Sequence, residues 1–141
     1  MPLQVRRVQV WSGEIPDRPG AAAAKLELLV RAGADLEFIF TRPSPIKPDT
    51  SVMFLAPISG PEVIEAARAA GLGPALDVVM LVIEGKNRGG IGYDLMSRLA
   101  VAGINVRGIS ISSIADRFAA YLALDNPDAA TQAIQILATI D

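Results

Sequence analysis

The sequence predicts an α+β protein built from two copies of one small module. Three observations carry that expectation: the chain repeats itself, each copy shows the same order of strand and helix signals, and proline or glycine punctuates the predicted helices. Trp11 to Asp35 reads WSGEIPDRPGAAAAKLELLVRAGAD, and 70 residues on, Leu81 to Asn105 reads LVIEGKNRGGIGYDLMSRLAVAGIN. Asp17-Arg18-Pro19-Gly20 thus falls on Asn87-Arg88-Gly89-Gly90, and Ala32-Gly33 on Ala102-Gly103. Further along the offset is 66, laying Ser51 to Gly71 over Arg117 to Leu137 and Gly60-Pro61-Glu62 over Asn126-Pro127-Asp128. A period of this length is too long for a solenoid unit and suits a small α/β module. Two domains are therefore expected, residues 1–72 and 73–141.

In the first copy, Val8 and Val10 alternate with Gln9 and Trp11, a strand signal that Pro16 to Gly20 breaks. Ala21 to Ala32 is a run of strong helix formers with Ala22, Leu26, Leu29 and Val30 on one face. Gly33 stands where a helix C′ glycine belongs. Leu36, Phe38 and Phe40 alternate with Glu37, Ile39 and Thr41 in a second strand, and a proline-rich loop, Arg42 to Asp49, follows. Ser51 to Ala56 is a third strand, and Pro61 opens a helix that stops at Gly71. The second copy repeats this order. Strands are expected at Val78 to Ile83, Asn105 to Ser112 and Phe118 to Leu124. Helices are expected from Ile91 to Ala102 and from Pro127 onward, the latter capped by Asn126. The change in offset falls in a hairpin loop, where an insertion costs least.

Val78 to Ile83 and Phe118 to Leu124 are apolar on both faces, so their sheet is expected to be covered on both sides. Neither copy shows a clear fourth strand. The sheets are expected to finish by pairing across copies or across chains, and a homodimer or larger homo-oligomer follows.

Composition narrows the function. The 141 residues are 51% hydrophobic and 20% charged, which describes a globular protein. The net charge of −2 and scattered basic residues do not make the footprint that nucleic acids attract. There is no cysteine and no histidine, so thiol catalysis, thiolate metal sites and the commonest general base are excluded. No apolar run is long enough to span a bilayer and no signal-peptide pattern opens the chain, so a cytoplasmic location is expected. No catalytic residue, metal or cofactor is expected.

The repeated strand-to-helix turn is the candidate site. Gly20, Gly89 and Gly90 allow a ligand close to the backbone. The free N–H groups and positive dipole end of the following helix suit a carboxylate. Asp17 or Asn87 would accept from a ligand ammonium, so the turn matches both ends of an α-amino acid. The competing structural reading takes Asp17 and Asn87 as turn formers and helix caps. Asn87 to Gly92 also resembles a phosphate loop, but lacks the Gly-Lys-Ser/Thr ending. Phe38 and Phe40 would suit base stacking, but Gly108 and Ser110 replace them in the second copy.

The order βαββα(β), with Asp-Arg-Pro-Gly before the first helix and Ala-Gly-Ala-Asp or Ala-Gly-Ile-Asn before the second strand, resembles the ACT domain. The resemblance covers about residues 5 to 137, and Pro19 becoming Gly89 departs from its pattern. It implies ferredoxin-like βαββα(β) modules in tandem, antiparallel sheets with helices on one face. It implies a regulatory, allosteric role in amino-acid metabolism rather than catalysis. The ligand would lie between modules, against the turn of one and the second strand of the other. Carried over residue by residue, its ligand-binding positions are Ile15, Asp17, Arg18, Pro19, Gly20 and Ala21, then Asn87, Arg88, Gly89, Gly90 and Ile91, with Asn105 at a second strand. Expected partners are a small amino acid, a second copy of the chain and an amino-acid biosynthetic enzyme. The alternative is a ligand-free interaction module acting through its sheet or loop surfaces.

Overall fold

The computed structural model describes residues 2–140. Twelve elements succeed one another in chain order among them: β1 (Gln4–Val8), β2 (Trp11–Pro16), α1 (Ala21–Arg31), β3 (Phe38–Pro43), β4 (Thr50–Ala56), α2 (Pro61–Ala69), β5 (Gly73–Pro74), β6 (Val79–Lys86), α3 (Ile91–Val101), β7 (Val106–Ile114), β8 (Arg117–Leu124) and α4 (Pro127–Leu137). They form two compact units, Gln9–Leu76 and the described residues of Met1–Val8 with Asp77–Asp141. Each unit is α+β, a four-stranded antiparallel sheet with two helices, and the architecture is that of tandem ferredoxin-like modules.

The strand orders are β3-β4-β2-β5 and β7-β8-β6-β1. They correspond position by position: second strand, third, first, then a closing strand. The closing strand is where the two units differ. In Gln9–Leu76 it is the two-residue β5, laid against β2 with Trp11 opposite Pro74. In the other unit it is β1, from the start of the chain, laid along β6 from Gln4–Glu84 to Val8–Met80. Each sheet thus has a fourth strand where none was expected within a copy: the first closes with β5 of its own copy, and the second borrows β1 from residues that precede the first. The single strand expected around Val8 to Trp11 is two strands, whose hydrogen bonds go to different sheets. The expected domains 1–72 and 73–141 assign residues 2–8 to the first copy, whereas their backbone pairs with the second.

Helix ends fall where local signals put them. Gly33, Gly71 and Gly103 all have positive φ just past the C-caps Ala32, Ala70 and Ala102. Asn126 Oδ1 accepts from the Ala129 amide at 2.8 Å, which satisfies one of the donors that a helix start leaves open. On α1 the predicted face is shifted: Leu29 is buried, but Val30 is 63% exposed.

Each unit has its own core. Leu29, Met53 and Leu55 are fully buried in the first with Trp11, Ile15 and Ala67 around them. Leu81, Ile83, Leu95, Leu99, Leu122 and Leu137 fill the second. At about 1.5–3 kcal/mol for each fully buried aliphatic side chain, these residues carry most of the drive to fold. Two charged helix side chains also tie elements together. Lys25 Nζ donates to the Ala70 carbonyl at the end of α2, and the Arg68 guanidinium lies 5.5 Å from the Trp11 ring centre. Val82 is only 1% exposed although Leu81 and Ile83 beside it point into the helix-covered core, in keeping with a strand apolar on both faces.

Candidate functional site

The two strand-to-helix turns have the same backbone construction. The Asp17 amide donates to the Asp49 carbonyl at 3.0 Å, and the Asn87 amide to the Asp116 carbonyl at 2.7 Å. Each turn is thereby tied to the hairpin between the second and third strands of its own module. The Ala21 amide then reaches Arg18 O, and the Ile91 amide reaches Arg88 O, both at 3.3 Å. Gly20 and Gly90 follow the same rule, with φ of 86° and 82°. That left-handed conformation costs glycine little and other residues more, so both copies need glycine there. The first i-to-i+4 bonds run from Ala24 to Gly20 O and from Asp94 to Gly90 O. The amides of Ala22 and Ala23, and of Gly92 and Tyr93, precede them and open toward the turn.

This arrangement corrects one structural expectation. Gly20 is the N-cap of α1, with no side chain capping the helix, and Asp17 stands three residues before it. The Asp17 side chain is exposed, and its carboxylate forms no hydrogen bond or ion pair among the described residues. Arg18, Pro19 and Gly20 are exposed too, Ala21 is half-buried and Ile15 belongs to the core at the end of β2. In the second turn Asn87 is half-buried, Arg88, Gly89 and Gly90 are exposed, and Ile91 is buried as the first residue of α3.

The turns differ in their arginines. Arg88 Nη2 lies 2.6 Å from Asp94 Oδ2, and Arg98 Nε lies 2.9 Å from Asp94 Oδ1. The Arg98 guanidinium first, and then that of Arg88, holds the Asp94 carboxyl below the ordinary aspartate range. At the position of Asp94 the first copy has Ala24, which offers Arg18 no carboxylate. Sequence reasoning passed over Asp94, although its i,i+4 spacing to Arg98 is a readable ion-pair signal. It also passed over Asp49 and Asp116, which act through backbone carbonyls and leave no side-chain signature.

Asn105 lies apart from the turn of its own module. It precedes β7 and donates weakly to Asp125, at 3.4 and 3.5 Å to the two oxygens. The register runs from Val106–Leu124–Val79 at that end to Ile114–Arg117–Lys86 at the other, beside the turn. The full length of β6, roughly 25 Å at 3.3 Å per residue, therefore separates Asn105 from Asn87. Among the described residues no group of three or more acidic, histidine or cysteine side chains is placed to hold a metal. No helix among them is long and apolar enough to cross a membrane.

No family model matches the chain, and no curated protein sequence matches it. Solved structures do. A Bacteroides thetaiotaomicron protein superposes with a TM-score of 0.76 at 10% identity, over 93% of this chain and 88% of that one. The ligand-free regulatory subunit of aspartate kinase from Thermus thermophilus matches with a TM-score of 0.63 at 18% identity, over 97% of both chains. The aspartate kinase of Clostridium acetobutylicum matches at 0.57 and 12% identity, over 96% of this chain but 34% of that enzyme. At such identities the likeness is one of fold. Together with the repeated Asp/Asn-Arg-Pro/Gly-Gly turn, it shows that this chain has the fold of a tandem ACT-domain protein.

Proposed function

We propose that the chain is a regulatory, non-catalytic protein of amino-acid metabolism that binds a small amino acid at its strand-to-helix turns. The single observation that carries this reading is the duplicated turn, identical in its glycine conformation and in its tie to the hairpin. The likeness to a regulatory subunit of aspartate kinase supports the regulatory part. Open helix amides would hold the ligand carboxylate, and Asp17 or Asn87 its ammonium, with a neighbouring second strand such as that begun by Asn105 closing the site. The protein acts as a homo-oligomer, and its expected target is an amino-acid biosynthetic enzyme.

A thermal-shift screen against the twenty amino acids tests the reading, since a ligand bound only to the native state raises Tm by mass action. Calorimetry on Asp17→Ala and Asn87→Ala then places the ligand. Loss of one charge-assisted hydrogen bond costs about 1.5–3 kcal/mol, roughly ten- to a hundredfold in Kd. Binding unchanged in both variants removes the turns from the site. If no amino acid binds, the interaction-module reading takes over, which the exposed Ile39, Phe40, Ile109 and Ile114 favour.

A further inference from the structure

One face of the sheet formed by β7, β8, β6 and β1 is covered by helices: there Ile83, Phe118 and Ala120 pack with Leu95 and Leu137. Side chains alternate along a strand, so Glu84, Ala119 and Arg117 stand on the other face. The register sets these residues in two rows. Glu84, Ala119 and Ser112 lie side by side in one, and Lys86, Arg117 and Ile114 form the next, at the hairpin end. A cavity of about 290 Å³ opens here, lined by Glu84, Ser112, Ile114, Arg117, Phe118 and Ala119. Ala119 stands between Glu84 and Ser112, and its single methyl group leaves the middle of the row low. Glu84 and Arg117 are diagonal neighbours on adjacent strands, roughly 7 Å apart at their β-carbons. Glu84 is half-buried, and among the described residues neither its carboxylate nor the Arg117 guanidinium forms a hydrogen bond or ion pair.

We infer that this pocket is a second ligand site, distinct from the strand-to-helix turns, and that it takes a small α-amino acid with a neutral, apolar side chain. The lining selects the class. One carboxylate, one guanidinium and one hydroxyl carry no net charge, which matches a zwitterion and disfavours a simple anion or cation. The ligand ammonium would donate to Glu84, and the ligand carboxylate would accept from Arg117 and from the Ser112 hydroxyl. The ligand side chain would lie over Ala119 against Ile114, which is 81% exposed, and so remove apolar surface from water. Lys86 stands opposite Arg117 and adds a second cation at the mouth, which penalises a cationic side chain. The open amides of the turn belong to α3, whereas every residue lining the pocket belongs to β6, β7 or β8. The site rests on the amino-acid class of the proposed function and needs neither turn.

Amide NMR spectra of the labelled chain, titrated with L-valine, locate the ligand. The largest shifts are expected at the amides of Glu84, Ser112, Ile114, Arg117 and Ala119. Isovalerate and isobutylamine, each keeping one of valine's two charged groups, are expected to bind about tenfold more weakly or worse, as is L-lysine. Glu84→Gln is expected to weaken L-valine about tenfold or more, and Ala119→Leu to block it by filling the space. Glu84→Gln, close in shape to the original, keeps the test open should Ala119→Leu fold poorly. Shifts at the pocket with none at the turns support the pocket and remove the turns from the site. Shifts confined to the amides of Ala22, Ala23, Gly92 and Tyr93 overturn the pocket and leave the turn reading standing. No shift at the pocket with millimolar L-valine, or wild-type binding in both folded variants, also overturns it, while the thermal-shift screen still decides the turn reading.

Discussion

The Leu3 amide donates to the Ile140 carbonyl at 3.1 Å, joining the two ends of the described chain in one unit. Leu3 is 6% exposed and packs into the same core as Leu81, Ile83 and Leu137. Arg7, four residues on, reaches α4, donating to Pro127 O at 3.1 Å and to the Thr131 hydroxyl. The start of the chain is thus part of the second module's structure.

Leu3→Ala is expected to destabilise that module by about 2–4 kcal/mol, the ordinary cost of truncating a buried leucine. Hydrogen exchange should show the loss in β6, β8 and α4 and leave β2, β4 and α2 protected as before. Equal loss of protection in both units would reject the assignment of β1.

Gly85 leaves the space that Leu3 fills. A β-carbon at residue 85 would come 2.3 Å from Leu3 Cδ2 and 3.1 Å from the Phe118 ring. Gly85→Ala is expected to cost about 1–3 kcal/mol by overpacking. Adding Leu3→Ala should relieve part of that cost, so the two changes together should destabilise by less than their sum. Chemical denaturation of the single and double variants measures the coupling, and strict additivity would count against the packing.

Asp94 makes stability depend on acid. Its folded pKa is depressed by Arg98 and Arg88, so its stabilisation is present above the unfolded aspartate value and is lost as pH falls through the folded one. Carboxyl chemical-shift titration should place the Asp94 midpoint below about 3.9, the unperturbed aspartate value. Asp94→Asn should flatten the acid side of the stability profile. A midpoint at or above that value would mean that the Arg88–Asp94–Arg98 cluster does not persist in solution.

Asn126→Ala removes the side-chain cap of α4 and is expected to cost about 0.5–2 kcal/mol, against a few tenths for Asn126→Gly. Thermal unfolding of the two variants distinguishes a cap from a merely tolerated loop residue. Equal effects would reject the cap. No matching loss is expected in α1 from Asp17→Ala, because Gly20 occupies its N-cap without a side-chain bond.

Much of this molecule is legible in the chain itself, and the legible part is local. The repeat determined that the modules are two and that their elements follow one order. Glycines at 33, 71 and 103 and prolines at 61 and 127 marked helix ends, because such residues restrict the backbone of their own few neighbours. The turns at Gly20 and Gly90 were equally visible, since their φ depends on the residue in place. The tertiary structure alone decided where β1 goes. Gln4 meets Glu84, 80 residues away, and nothing in QVRRV names that partner. Only the edge of β6 on the side away from β8 selects it. The same holds for the hairpin carbonyls of Asp49 and Asp116, which any residue type can offer. Periodicity and punctuation are properties of a segment, whereas strand partners and backbone acceptors are properties of the assembled sheet.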